Sequence, residues 1–170
     1  MNIISKIKRY YDNGGLYTSK YEILIIPPLG VGNITEKLSV LSKTASIPDH
    51  KISTSTISFK GRPIVMRRQL DMETTCTVDV YEDSNMKVRK VLDRWIDLCD
   101  SLYIGGSSNY CNGTIEVHQL DGNGNRMYGV VYNDVFLTGI SGIKYDSSSS
   151  GEIVSYSLTF SYSGYEIISR

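Results

Sequence analysis

The chain has 170 residues, of which 41% are apolar and 21% charged, with a formal net charge of zero. That is the composition of an ordinary soluble protein, and the length suits one domain spanning residues 1–170. The missing basic excess argues against a dedicated nucleic-acid binder. Charge is nonetheless polarised along the chain: residues 1–70 hold 11 Lys and Arg against 4 Asp and Glu, and residues 71–170 hold 7 against 14. If the halves reach different surfaces, one copy attracts the next; if they interleave, the fields cancel.

Residues 2–12 are predicted as a short amphipathic helix, with Ile3, Ile4, Ile7, Tyr10 and Tyr11 at helical spacing and Asn13-Gly14-Gly15 as its stop. Lys6, Lys8 and Arg9 interrupt the isoleucines, so no apolar run of signal-peptide length occurs there. Tyr21 to Ile26 reads as a strand ended by Pro27-Pro28. After a Gly-rich loop, Glu36 to Thr44 reads as a second strand with Leu38 and Val40 on one face.

Residues 51–60 favour strand through Thr and Ile, yet carry too few apolar side chains for a core. Gly61-Arg62-Pro63 turns the chain and Ile64 to Leu70 returns, which makes a long protruding hairpin over about 49–70. Such a hairpin is a surface arm or a piece that pairs with a neighbour.

Thr75 to Tyr81 alternates, with Cys76, Val78 and Val80 inward. Asp83 or Ser84 is placed to cap a helix over about 84–101. Its core stripe is Val88, Leu92, Trp95 and Cys99, widened by Val91, Ile96 and Leu98. A Gly/Ser loop at 105–109 precedes a strand from Thr114 to Leu120, a turn at 121–125 and a return strand from Arg126 to Tyr132. Val135 to Tyr145 is a further strand, and 147–151 a turn. The last strand, Ile153 to Tyr162, puts Val154, Tyr156, Leu158, Phe160 and Tyr162 on one face and Ser or Thr on the other. Hairpins around one main helix imply a mainly β protein, a sandwich or barrel of two packed antiparallel sheets.

Catalytic and metal patterns are missing. His50 and His118 lack ligand spacing, and His118 is expected at the surface or facing a lumen. Asp121-Gly122-Asn123-Gly124-Asn125 opens like a calcium loop, but Tyr132 stands where the loop's acidic twelfth residue belongs. Gly139-Ile140-Ser141-Gly142 is one residue short of a nucleophile elbow. The pairs Asp71/Glu73 and Glu82/Asp83 are explained by solvation or helix capping. Cys76, Cys99 and Cys111 read as buried thiols of a reducing compartment. No stretch approaches the roughly 20 apolar residues of a membrane helix. No enzyme, cofactor or metal is expected. The 13 tyrosines lean the reading toward protein interfaces.

The ordered features resemble the tail tube proteins of contractile-tailed bacteriophages over residues 2 to 162. They are the N-terminal helix, the strand Lys20-Tyr21-Glu22-Ile23, the turn Thr44-Ala45-Ser46-Ile47-Pro48 and an arm tipped by Phe59-Lys60-Gly61-Arg62. Val78-Asp79-Val80-Tyr81-Glu82-Asp83-Ser84-Asn85 then leads to a helix with Arg89 and Trp95, a hairpin over 113–131 and the aromatic strand Ile153 to Tyr162. The insertion at 29–33 and the short tail beyond Tyr162 depart from the pattern.

The resemblance implies rings, hexameric in that family, stacked head to tail as a hollow virion tail tube built in the host cytoplasm. It implies a sheath protein outside, tape-measure protein and DNA in the lumen without sequence-specific binding, and baseplate and tail-terminator proteins at the ends. Contact between subunits is then expected through Ile47, Pro48, Ile57, Phe59, Arg62, Pro63, Arg67 and Arg68. A baseplate tube initiator or injection-system tube of the same fold is the alternative. A β-sandwich host- or carbohydrate-binding module is the alternative from another class.

Overall fold

The computed structural model describes residues 3, 4, 8, 15–105, 108–148 and 151–169, without the side chains of 102–105 and 108–109. The helix predicted over 2–12 lies almost wholly outside the described residues.

The first strand, β1 (Tyr21–Ile26), is followed by a short helix, α1 (Thr35–Leu41). Two long strands, β2 (His50–Phe59) and β3 (Arg62–Met72), form the hairpin. After β4 (Thr75–Tyr81) comes the long helix α2 (Lys87–Gly105) and a 3₁₀ turn, Ser108–Cys111. The chain closes with β5 (Gly113–Leu120), β6 (Arg126–Ile140), β7 (Ser155–Ser161) and β8 (Gly164–Ser169).

The body is one six-stranded path in the order β1-β5-β6-β7-β4, with β8 also on β6, and every pairing is antiparallel. Strand β6 belongs to two sheets. Its first half pairs with β5 and β8, and its second half, from Phe136, pairs with β7. The sequence reads two strands here, one on each side of Asn133-Asp134. The backbone runs through as one because Asp134 takes a left-handed φ of 53°. Opposite it, one residue of β5, Thr114 between the paired Gly113 and Ile115, faces two of β6, Asn133 and Asp134 between Tyr132 and Val135. That bulge turns the strand from one sheet into the next without ending it.

Both sheets and both helices share one core. It holds Ile23 and Ile25 of β1, Val78 and Val80 of β4, Ile115 of β5, Leu158 and Phe160 of β7, and Leu38 of α1. From α2 come Val88, Leu92 and Trp95, all fully buried. Each such side chain contributes about 1.5–3 kcal/mol on leaving water. Trp95 is fixed twice, by its Nε1 donating to the Cys111 carbonyl at 2.8 Å and by its ring lying 5.7 Å from that of Phe160. Cys99 and Val154 are half-buried and pack at the core margin.

Four further sequence expectations are corrected. Residues 36–44 begin as helix, with Leu38 fully buried and Val40 78% exposed. Leu38 and Val40 fit a strand, but Ile34, Leu38 and Leu41 fit a helical face equally, and packing of α1 on β1 selects the helix. The long helix starts at Lys87, later than 84, because Glu82 and Asp83 both act as caps before it. It runs to Gly105, through the start of the expected loop. The tail beyond Tyr162 forms β8, pairing with Tyr128 to Asn133. The described tyrosines divide between core and surface: Tyr132, Tyr156 and Tyr162 are buried core residues, whereas Tyr17, Tyr110 and Tyr145 are exposed.

Candidate assembly surface

Strands β2 and β3 make a two-stranded sheet of their own, paired with each other and with no other described strand. The register runs from His50 opposite Met72 at the root to Phe59 opposite Arg62 at the tip. Lys60 and Gly61 turn the tip, both with left-handed φ, 47° and 76°. A bulge between Ile52 and Thr54 reseats the pairing midway.

Because side chains alternate, the hairpin has two faces. Near the tip, Ile57 and Phe59 share a face with their cross-strand partners Ile64 and Arg62. The opposite face carries Ile52 and Leu70 near the root and Val65 toward the tip. All are exposed, with Phe59 at 61% and Val65 at 66%. An isolated two-stranded hairpin is marginal in water, and an apolar surface on both faces is a poor match to solvent.

The root is held by aromatic contact. His50 lies 5.3 Å from Tyr165, which belongs to a cluster with Tyr132 and Tyr162. The Tyr132 hydroxyl donates to the Ser46 carbonyl at 2.7 Å, pinning the segment that enters the arm. The hydroxyls of Tyr162 and Tyr165 are buried without a hydrogen-bond partner among the described residues. Burial raises the Tyr132 and Tyr162 hydroxyl pKa values, that of Tyr162 to about 12.

Of the residues singled out from sequence, Ile57, Phe59, Arg62, Pro63, Arg67 and Arg68 are exposed together on the arm. Ile47 is exposed beside the root. Pro48 is buried in the chain's own body, so it anchors the root and offers no contact surface. Sequence reasoning missed Ile64, Val65 and Met66, which the return strand exposes at the same end. Their signal was present, since a run of three apolar residues flanked by Pro63 and two arginines has no core to enter.

The body also has open strand edges. Among the described strands, β1 pairs only with β5, and β8 only with β6. Ile167 and Ile168 are exposed on β8. An open edge of this kind is a template for another strand.

The sheet face turned away from the core carries Glu22, Glu116 and His118. His118 is on the outer face but not at the surface, at 4% exposure. Its ring occupies the space over Gly129, where a Cβ would collide with Nδ1 and come within 2.8 Å of Cε1. Its Nε2 lies 3.1 Å from a Glu116 carboxylate oxygen. Among the described residues no group of side chains has the makings of a metal site, and no helix is long and apolar enough to cross a membrane.

A β body packed on one long helix, with open strand edges and a two-stranded arm, is a fold this protein shares with chains of contractile injection systems. The chain belongs to the phage tail tube protein family, whose model matches residues 16–168. Among solved structures it is similar to a chain of the PVC sheath–tube complex, an extracellular contractile injection system in its extended state. That match has a TM-score of 0.67 at 13% identity and covers 100% of both chains. A chain of the PVC sheath/tube terminator matches with a TM-score of 0.67 at 12% identity, covering 91% of this chain and 97% of that one. A chain of the anti-feeding prophage tube-terminating cap matches at 0.65 and 14% identity, over 92% of each. No curated protein matches by sequence.

Proposed function

We propose that this single domain, residues 1–170, is a structural subunit of a virion tail, assembled in the host cytoplasm into stacked hexameric rings that form a hollow inner tube. The observation that carries this reading is the β2–β3 arm, which among the described strands pairs only with itself and exposes apolar side chains on both faces. A neighbouring copy is the simplest surface to cover them. Ile57, Phe59, Arg62, Pro63, Arg67 and Arg68 make that contact, with Ile47 beside the root. The edges of β1 and β8 join adjacent copies within a ring, which removes unpaired backbone groups.

Such contacts are heterologous, and a heterologous contact that does not close along one axis grows a filament. The role is structural, without turnover or cofactor. A tube of this kind passes DNA and tape-measure protein through its lumen without sequence-specific contacts, since every phosphate contact adds affinity and drag. A sheath protein clads it, and baseplate and terminator proteins close its ends. Because a chain of the anti-feeding prophage baseplate is also similar, with a TM-score of 0.61 at 9% identity over 88% of this chain, a tube initiator is the second reading. Copy number in purified particles separates the two.

Negative-stain microscopy of the purified chain tests the proposal. Rings or hollow tubes are expected. A persistent monomer at high concentration, with residues 48–70 folded onto its own body, overturns it.

A further inference from the structure

Away from the arm, the two helices flank a groove of about 870 Å³. Its apolar lining comes from Leu24 of β1, Ile34 and Val40 at α1, and Val91 of α2. Its cations are Lys37, Lys87, Lys90 and Arg94. The last three and Val91 stand at i, i+3, i+7 and i+4 along α2, one stripe of that helix.

The charges there are unevenly satisfied. Lys37 is bound to Asp83 at 2.7 Å. Of the two acids in the lining, Glu22 is bound to Arg126 at 2.7 Å, which leaves Glu36. Among the described residues Lys87 and Arg94 have no ion-pair partner, and Lys90 reaches only the Asn85 carbonyl at 3.3 Å. Three cations therefore face one acid over an apolar floor. Val40 is 78% exposed on that floor.

We propose that the groove between α1 and α2 docks an acidic, amphipathic segment of a second protein. Its apolar side chains rest on Val40 and Val91, and its carboxylates pair with Lys87, Lys90 and Arg94. Binding covers exposed apolar area and neutralises charges that have no partner among the described residues. Nucleic acid fits less well. No aromatic side chain lines the groove for bases to stack on, and its floor of Val40 and Val91 suits apolar side chains. The inference does not depend on tube formation.

The test is fluorescence anisotropy of the full chain with a fluorescein-labelled helical peptide of about 14 residues, Leu on one face and Glu on the other. Saturable binding that weakens with salt is expected. The double variant Lys90→Glu/Arg94→Glu should weaken it about tenfold, and replacing the peptide's Glu by Gln should do the same. Val40→Asp, at an exposed position, should also weaken it severalfold at unchanged melting temperature. Absence of binding overturns the proposal, as does equal binding by wild type and both variants. Binding of a single-stranded oligonucleotide in place of the peptide, lost in the double variant, also overturns it.

Discussion

Tyr156 donates its hydroxyl to Glu82 at 2.5 Å, joining residues 74 positions apart in the chain. The same carboxylate accepts the backbone N–H groups of Asp83 at 3.0 Å, Val88 at 3.2 Å and Arg89 at 3.0 Å. One buried acid therefore ties the end of β4, the face of β7 and the first turn of α2. Arg89 lies over the Tyr156 ring, 5.3 Å from its centroid, and closes the group. Glu82→Ala should lose about 2–4 kcal/mol, because several buried donors lose their acceptor together. Tyr156→Phe should lose about 1–2 kcal/mol, the smaller effect of removing one donor. Urea unfolding with an unchanged slope checks both; a shift for Glu82→Ala no larger than for Tyr156→Phe would show that the helix finds another cap.

Trp95 fills the space between α2, the start of β5 and the Phe160 ring of β7. Trp95→Ala should cost about 3–5 kcal/mol. Gly113 belongs to the same contact, since a Cβ there would collide with the Ile26 carbonyl and come within 2.9 Å of the Trp95 ring. Gly113→Ala should therefore lower the melting temperature although it adds only a methyl group. Thermal melts of both variants decide, and an unchanged melt for Trp95→Ala would contradict the packing described.

Arg62→Glu combined with Phe59→Ser should block tubes and leave the fold intact. Both side chains are exposed at the arm tip, so nothing in the body loses a contact. Electron microscopy reads assembly and far-UV circular dichroism reads the fold. Normal tubes from the double variant would remove the arm from the assembly contact.

Asp83 holds its carboxyl at about 2, below the ordinary carboxylate range. The leading cause is the hydrogen bond from Lys37, followed by that from the Lys87 backbone N–H at the helix start. A depressed folded pKa means a contribution present above the unfolded value near 4 and lost as pH falls toward 2. Asp83→Asn should melt below wild type at pH 5, and the gap should close by about pH 2. A gap independent of pH would show that the charge on Asp83 has no part in it.

Alkali should act in the opposite sense. Burial raises the hydroxyl pKa values of Tyr132, Tyr156 and Tyr162 and the thiol pKa values of Cys76 and Cys99, each thiol to about 12. Groups whose folded pKa is raised stabilise fully below their unfolded values, about 8.5 for thiols and 10 for tyrosine, and lose that contribution above them. Stability should fall from about pH 9 to 12, and the tyrosinate absorbance of the three buried tyrosines should appear only with unfolding. A gradual titration of every tyrosine near pH 10 in the folded chain would contradict their burial.

The elements whose side-chain period is internally consistent are legible from their residues alone. Tyr21 to Ile26 and Thr75 to Tyr81 have the predicted bounds as β1 and β4. Tyr156, Leu158 and Phe160 alternate as buried residues on β7. The hairpin is also legible, because Ser and Thr at strand spacing satisfy a backbone ladder without supplying a core. The burial of His118 is not, since it depends on the missing side chain of Gly129, a residue more than ten positions later that only sheet register places beneath it.

By itself the sequence determined which segments alternate, where the long helix buries Val88, Leu92 and Trp95, and that residues 51–60 have no core to join. Tertiary structure alone decided that 35–41 is helix, that β6 continues through Asp134, that the C-terminal residues form β8, and that the cations of α2 meet α1 across a groove. The physical reason is range. Periodicity reports what one segment presents to its surroundings, whereas these four outcomes depend on a partner distant in the chain: a strand for α1 to cover, a second sheet for β6 to enter, an edge for β8 to pair with, and a facing helix.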